Sequence, residues 1–138
     1  MRRKMFTKDD VRAIMREFDV ETGNDTSAIR VRIVTEVEGQ PDVVAYYACN
    51  SITHAPIEFV FTRAMLRCSY EFMWDTIAHE YAHYVTNTVQ HHINMDDLHD
   101  EVFIDNVYAL GSANVSAHID PIMHEEYMTA RNKYRRNK

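Results

Sequence analysis

The sequence contains little glycine, proline or cysteine and no long apolar run. Three glycines and three prolines in 138 residues, without a low-complexity segment, exclude collagen-like and disordered chains. The only two cysteines, Cys49 and Cys68, exclude a disulfide-rich scaffold, and we expect both thiols to be free. No stretch approaches the roughly 20 apolar residues that span a bilayer, and polar residues follow the basic N-terminus where a signal peptide would be apolar. We therefore expect one cytoplasmic globular domain over residues 1–138, without membrane contact.

Charge is distributed unevenly along the chain. Nine of the 15 basic residues lie within residues 1–8 and 131–138, and all 21 acidic residues lie between them, which gives a net charge of −6. Such an acidic body repels nucleic acid. The basic segment 131–138 is most simply a solvated helix end. Contact with nucleic acid through the two basic ends remains a second interpretation.

Hydrophobic periodicity predicts an α+β fold in which one helix and three strands precede the remaining helices. Thr7 and Asp10 resemble a capping box that opens a first helix of about three turns. Alternating residues 29–38 predict a half-exposed strand, and we expect residues 43–49 to pair with it as the next strand. A third strand is predicted at residues 57–62.

Three further helices are predicted after the strands. Residues 69–88 are apolar over most of the helix circumference, which indicates a buried helix. The next helix is predicted to start near Asn94 or Asp96 and to stop at Gly111. Asp120, as an N-cap before Pro121, opens a last helix that extends to about residue 136.

The predicted buried helix contains an H-E-x-x-H sequence formed by His79, Glu80 and His83. The i, i+4 spacing places both imidazoles on one face of the helix, where two nitrogens can reach one metal ion. Asp75 and Asn87 extend this polar stripe by one turn in each direction. Because unpaired polar groups are costly to bury, the stripe needs partners, and we expect a zinc ion to supply them.

Zinc suits this set because it binds neutral imidazole, and three protein ligands leave its fourth position for water. Glu80, next to the first ligand, is the predicted general base that takes the proton of this water. Five following residues are candidates for the third ligand: His91, His92, His99, Glu101 and Asp105. We favour His99, because in the first turn of the next helix the positive end of the dipole disfavours imidazolium. Phe103, one turn later, is expected to anchor it.

Residues 75–83 resemble the active-site helix of the SprT-like zinc metalloproteases, and residues 99–103 are similar to the H-G-x-x-F element of that family. The resemblance covers about residues 7–111. It implies a zincin-like domain with an N-terminal helix and a small sheet before the metal-binding helix, a zinc ligand at His99, and action on DNA-associated proteins. Asp100 replaces the usual glycine, and because no cysteine follows Cys68 we expect no zinc ribbon.

A weaker resemblance is to the ImmA/IrrE-like metallopeptidases, which cleave repressor-type proteins. Residues 79–85 are similar to the motif of that family, and this resemblance implies that the third ligand is acidic, here Glu101. Residues 104–110 match the expected Ala-Asn-x-Phe-Ala pattern poorly. A metzincin fits less well still, because Thr86 and Val89 stand where that family has glycine and histidine.

The sequence thus predicts a zinc metallopeptidase that uses His79, His83, His99 and Glu80, with one Zn²⁺ per chain and no other cofactor. A protein or peptide substrate is expected to add a strand to the sheet edge beside the cleft. Four residues are candidates for stabilising the oxyanion: Tyr81, Tyr84, His91 and His92. The alternative is a binding or regulatory module in which the metal is purely structural.

Overall fold

The computed structural model describes residues 5–115 and 121–136 and has an α+β architecture. The first helix, α1 (Lys8–Thr22), begins with the predicted capping box. The Asp10 backbone N–H donates to Thr7 Oγ1 (3.3 Å), and the Thr7 backbone N–H donates to the Asp10 carboxylate (2.7 Å). Gly23, with φ of 75°, ends the helix in a left-handed conformation that glycine adopts without strain. The helix therefore runs about one turn beyond the predicted three.

The three predicted strands form one mixed sheet, but their pairing differs from the expectation. The strands are β1 (Arg30–Val34), β2 (Ala45–Cys49) and β3 (Pro56–Thr62), in the order β1-β3-β2. The predicted pairing of β1 with β2 is wrong: β3 lies between them, parallel to β1 and antiparallel to β2. The turn at residues 39–42 closes only an isolated bridge between Val37 and Gln40, so β1 ends early and no hairpin forms there.

The central place of β3 follows from its composition. Phe59, Val60, Phe61 and Thr62 are all at most 1% exposed, so both faces of this half of the strand are covered. A strand buried on both faces cannot lie at a sheet edge facing water. Alternation along the strand puts Ile57 on the same face as Phe59 and Phe61, but Ile57 lies near the strand's start and is 54% exposed.

The metal-motif helix, α2 (Tyr70–Tyr84), is buried as predicted. Ser69 is its N-cap and accepts a hydrogen bond from the Phe72 backbone N–H (3.1 Å). The helix continues into a π-helical turn, Val85–Val89, that the sequence did not indicate. Isolated π turns of this kind frequently occur at functional sites.

Two helices complete the fold. α3 spans Glu101–Ala109, so the predicted start near Asn94 or Asp96 is wrong: residues 91–100 form an irregular loop, and Asp100 is the N-cap. α4 spans Pro121–Arg136, and its Tyr127 is buried in the core. Asp120, the predicted N-cap of α4, lies outside the described residues.

The core lies between the sheet and the helices, and α2 runs through it in contact with α1, β2 and α3. Cys49 and Cys68 do not form a disulfide, as predicted. Among the described residues, no helix combines the length and apolar character needed to cross a bilayer. The site described next lies where α2 passes between the edge strand β2 and α3.

Candidate metal centre

Three histidines from two elements converge at one point. His79 and His83 lie one turn apart on α2, and His99 lies in the loop that enters α3. The His99 Nε2 atom is 3.2 Å from His83 Nε2 and 3.3 Å from His79 Nε2. Within residues 5–115 and 121–136, these histidines form the one group of at least three histidine, cysteine or acidic side chains whose ligand atoms come close enough to hold a metal ion.

The spacing of these nitrogens fits a tetrahedral metal ion. Zinc binds imidazole nitrogen at about 2.0–2.1 Å, so two nitrogens at corners of one tetrahedron lie about 3.3 Å apart. The separations of His99 Nε2 from His83 Nε2 and from His79 Nε2 match this edge length, and all three ligand atoms lie within 4.8 Å of one another. The three histidines can therefore hold a metal ion.

The tautomer of His79 is fixed by a backbone carbonyl. Its Nδ1–H donates to the Asn114 carbonyl oxygen (2.7 Å), which leaves Nε2 unprotonated and available to a metal. Asn114 is held in turn by Ser112, whose Oγ accepts from the Asn114 backbone N–H (3.1 Å) and donates to the Asp75 carboxylate (3.1 Å). The Asp75 carboxylate therefore has a hydrogen-bond donor in Ser112, and the expectation that a zinc ion satisfies this carboxylate was wrong.

The expectation that His99 lies in the first turn of the next helix was wrong: His99 lies immediately before the N-cap of α3. Asp100 is that N-cap and accepts a hydrogen bond from the Phe103 backbone N–H (3.2 Å). Its other carboxylate oxygen is 2.6 Å from His92 Nε2. The aspartate that replaces glycine in the SprT-like pattern therefore ties the loop carrying His99 to the start of α3.

The three imidazoles pack around Phe103, which is fully buried. Its ring stacks on His83 with 4.2 Å between centroids, and the centroids of His79 and His99 are each 5.0 Å away. This contact confirms that Phe103 anchors His99. Burial, reinforced by the neighbouring His79 and His99, lowers the pKa of His83 to about 2, and burial also lowers the pKa of His79. Both rings are neutral at physiological pH, as metal binding requires.

Glu80 is buried next to this group with 6% of its surface exposed. Burial raises the pKa of its carboxyl group to about 8, and the backbone N–H of Tyr47 partly offsets the rise. In the part of the chain that the structure describes, no ion pair involves Glu80. A buried carboxyl group without a cationic partner, beside the neutral imidazoles of His79 and His83, is an environment that a metal cation would stabilise.

Strand β2 presents a free backbone edge at this point. The Val44 carbonyl accepts from the Thr62 backbone N–H (3.1 Å), and the backbone groups of successive residues point to opposite sides of a strand. The N–H and C=O groups of Ala45 and Tyr47 therefore point away from β3. The Tyr47 N–H donates to the Glu80 carboxyl group. An extended chain can pair with this edge beside the three histidines.

The other third-ligand candidates lie apart from the histidine group. Glu101 and Asp105 are exposed on α3. His92 contacts Asp100, and the Nδ1 atom of His91 is 3.3 Å from the Nδ1 atom of His54. None of the four belongs to the metal-holding group found among the described residues.

The remaining polar and aromatic candidates are engaged in the fold. The amide of Asn87 donates to the His92 carbonyl (2.9 Å), so this residue is satisfied without a metal. The buried Tyr81 donates its hydroxyl to the Asp19 carboxylate (2.6 Å), and Tyr84 is buried against Tyr81. The Tyr81 hydroxyl is therefore already paired within the fold, and an oxyanion role for Tyr84 stays a prediction.

Sequence reasoning missed the Asn114 carbonyl and Ser112. A backbone carbonyl is present in every residue and carries no sequence signal, and Ser112 lies 37 residues from the aspartate it contacts. Comparisons of the chain with models of known protein families, with curated proteins and with solved structures find no match.

Proposed function

We propose that this protein is a zinc-dependent metallopeptidase of the SprT-like kind, with His79, His83 and His99 as ligands of one Zn²⁺ and Glu80 as general base. The observation that carries the proposal is the convergence of three imidazoles, with His99 Nε2 at tetrahedral spacing from the other two, beside a buried glutamate. Among the described residues the group has three protein ligands, and three is the number that leaves the fourth position of a catalytic zinc to water.

Zinc, when bound, supplies a Lewis acid that polarises the scissile carbonyl and acidifies an attacking water. Glu80 accepts the proton of this water and delivers it to the leaving amine. Burial raises the pKa of Glu80 in the metal-free protein, and a bound cation favours the ionised carboxylate, which is the form that accepts a proton. Asn114 holds the His79 ring in the tautomer that leaves Nε2 free.

The substrate is a protein or peptide that binds in extended form along the edge of β2. The outward N–H and C=O of Ala45 and the outward C=O of Tyr47 give such a chain hydrogen-bonding partners beside Glu80, while the Tyr47 N–H is used by Glu80 itself. Action on DNA-associated proteins rests on the family resemblance, and a cytoplasmic location rests on the polar residues that stand where a signal peptide would be apolar. Arg131, in the basic tail, donates to the Pro41 carbonyl (2.5 Å) and lies 3.6 Å from Asp42, so this cation serves the fold.

The alternative, a binding module with a structural metal, predicts a closed site. Structural zinc sites take four protein ligands and need no carboxylate beside the first. The group found among the described residues has three ligands, and Glu80 is adjacent to one of them. These features favour catalysis over a purely structural role.

The ligand set is tested by zinc content. We expect about one zinc per chain after dialysis of the wild type, loss of that zinc in His99→Ala, and retention in Glu101→Ala. Glu101→Ala is a matched control, since it removes the acidic ligand that the ImmA/IrrE-like reading requires. Zinc lost from Glu101→Ala alone would favour that second family, and a folded wild type without zinc would refute the peptidase mechanism.

Catalysis is tested by comparing wild type and Glu80→Gln on a fluorogenic unfolded protein. We expect hydrolysis by the zinc-loaded wild type and a loss of about 100-fold or more in Glu80→Gln, because removing a general base costs rate. Zinc content of the variant is measured in parallel. Equal activity of two zinc-loaded proteins would exclude Glu80 as the base.

A further inference from the structure

Two further histidines, His54 and His91, lie close together near the surface, outside the three-histidine group. His54 lies in the loop between β2 and β3, and His91 follows the π-helical turn after α2. Their Nδ1 atoms are 3.3 Å apart, and the ring centroids are separated by 5.3 Å. The two residues are 37 positions apart in the sequence, so tertiary structure brings them together. Glu80 and the three-histidine group use neither of them.

Both histidines have an unusual backbone conformation. His54 and His91 have φ of 64° and 53°, and no other non-glycine residue in the described part of the chain has a positive φ. The His54 backbone N–H donates to the Asn50 carbonyl (2.8 Å). Gln90 and His92, on either side of His91, donate to carbonyl groups of the preceding helical turn. Left-handed conformations cost energy for such residues and persist where surrounding structure imposes them.

We propose that His54 and His91 form a second transition-metal site, which takes ions that prefer imidazole, such as Zn²⁺. The 3.3 Å separation equals the edge of a tetrahedron of nitrogens around such an ion, so both rings can bind it through Nδ1. His91 is exposed and His54 is half-buried, so an ion can reach both rings from solvent. Because the two rings are already placed, little ordering is needed on binding.

The site joins two loops near the three-histidine group. The loop carrying His54 follows the edge strand β2, and His91 begins the loop that leads to His99. An ion bound by both histidines would therefore connect these two loops. This site is independent of the proposed peptidase activity, since it uses neither Glu80 nor the three-histidine group.

Zinc titration followed by calorimetry tests the proposal. Dialysed protein is titrated with Zn²⁺, and we expect a tight class of site and a second, weaker class. His54→Asn and His91→Asn are each expected to weaken the second class by about tenfold or more and to leave the tight class unchanged. Asparagine is chosen because it tolerates a left-handed backbone. The retained tight class shows that each variant is folded.

Two further variants identify the sites. His124→Asn, on α4, is a matched surface control and should leave both classes unchanged. His83→Asn should remove the tight class and keep the second, and this outcome separates failure of the proposed function from failure of the second site. A wild type with one class of site would overturn the proposal. A weak class that survives in His54→Asn and His91→Asn would assign that binding to surface carboxylates and would overturn it too.

Discussion

Replacing Glu80 by Gln should change how the stability of the metal-free protein depends on pH. In the folded protein, burial raises the pKa of Glu80 from 4.5 to about 8. Between these values the folded state binds a proton that the unfolded state has released. The free energy of unfolding of the wild type therefore falls as the pH rises through this window, and the stabilisation by the bound proton is fully present below the unfolded pKa. Gln is neutral at every pH, so the variant lacks this pH-dependent contribution to the free energy of unfolding.

The size of the effect follows from the pKa difference. Each pH unit between the two pKa values changes the free energy of unfolding by about 1.4 kcal/mol. Between pH 5 and pH 7.5 the wild type should thus lose up to roughly 3 kcal/mol relative to Glu80→Gln. The lowered pKa values of His79 and His83 also contribute to the pH dependence, but they are present in both proteins and largely cancel in the difference.

Urea denaturation of the metal-free proteins at several pH values measures this difference. Glu71→Gln is the matched control, because Glu71 is an exposed glutamate on the same helix and should give a curve parallel to the wild type. Saturating zinc should reduce the difference between wild type and Glu80→Gln, since a cation favours the ionised carboxylate. Parallel curves for wild type and Glu80→Gln without metal would refute the reasoning that Glu80 is buried without charge compensation.

Three further substitutions test the contacts that hold the site. Ser112→Ala removes the hydroxyl that accepts from the Asn114 backbone, and we expect zinc affinity to fall about tenfold in a chelator competition; unchanged affinity would show that this contact does not position the carbonyl. Asp100→Ala removes the N-cap of α3 and should lower the free energy of unfolding by about 1 kcal/mol, whereas Asp100→Ser should recover most of it; equal losses would contradict a capping role. Asp19→Asn weakens the acceptor of the buried Tyr81 hydroxyl and should cost roughly 1–2 kcal/mol in urea denaturation, and a neutral effect would count against this contact.

Some of the fold was predictable because its signals are local. Thr7 and Asp10 lie three residues apart, so the capping box could be identified without knowing the rest of the structure. Strand pairing was not local: β3 is central because four successive buried residues need cover on both faces, and the turn signal at residues 39–42 pointed to the wrong partner.

The sequence by itself determined the first half of the candidate metal centre. His79 and His83 share a helix face because of helical periodicity, and the apolar residues around them bury that helix. Tertiary structure alone decided the rest. It brought His99, from a loop rather than a helix, to 3.2 and 3.3 Å from the first two ligands and placed the Asn114 carbonyl behind His79. Five candidates lay within reach along the chain, and only the packing of α3 against α2 could select one of them, because contacts between distant segments depend on the whole fold.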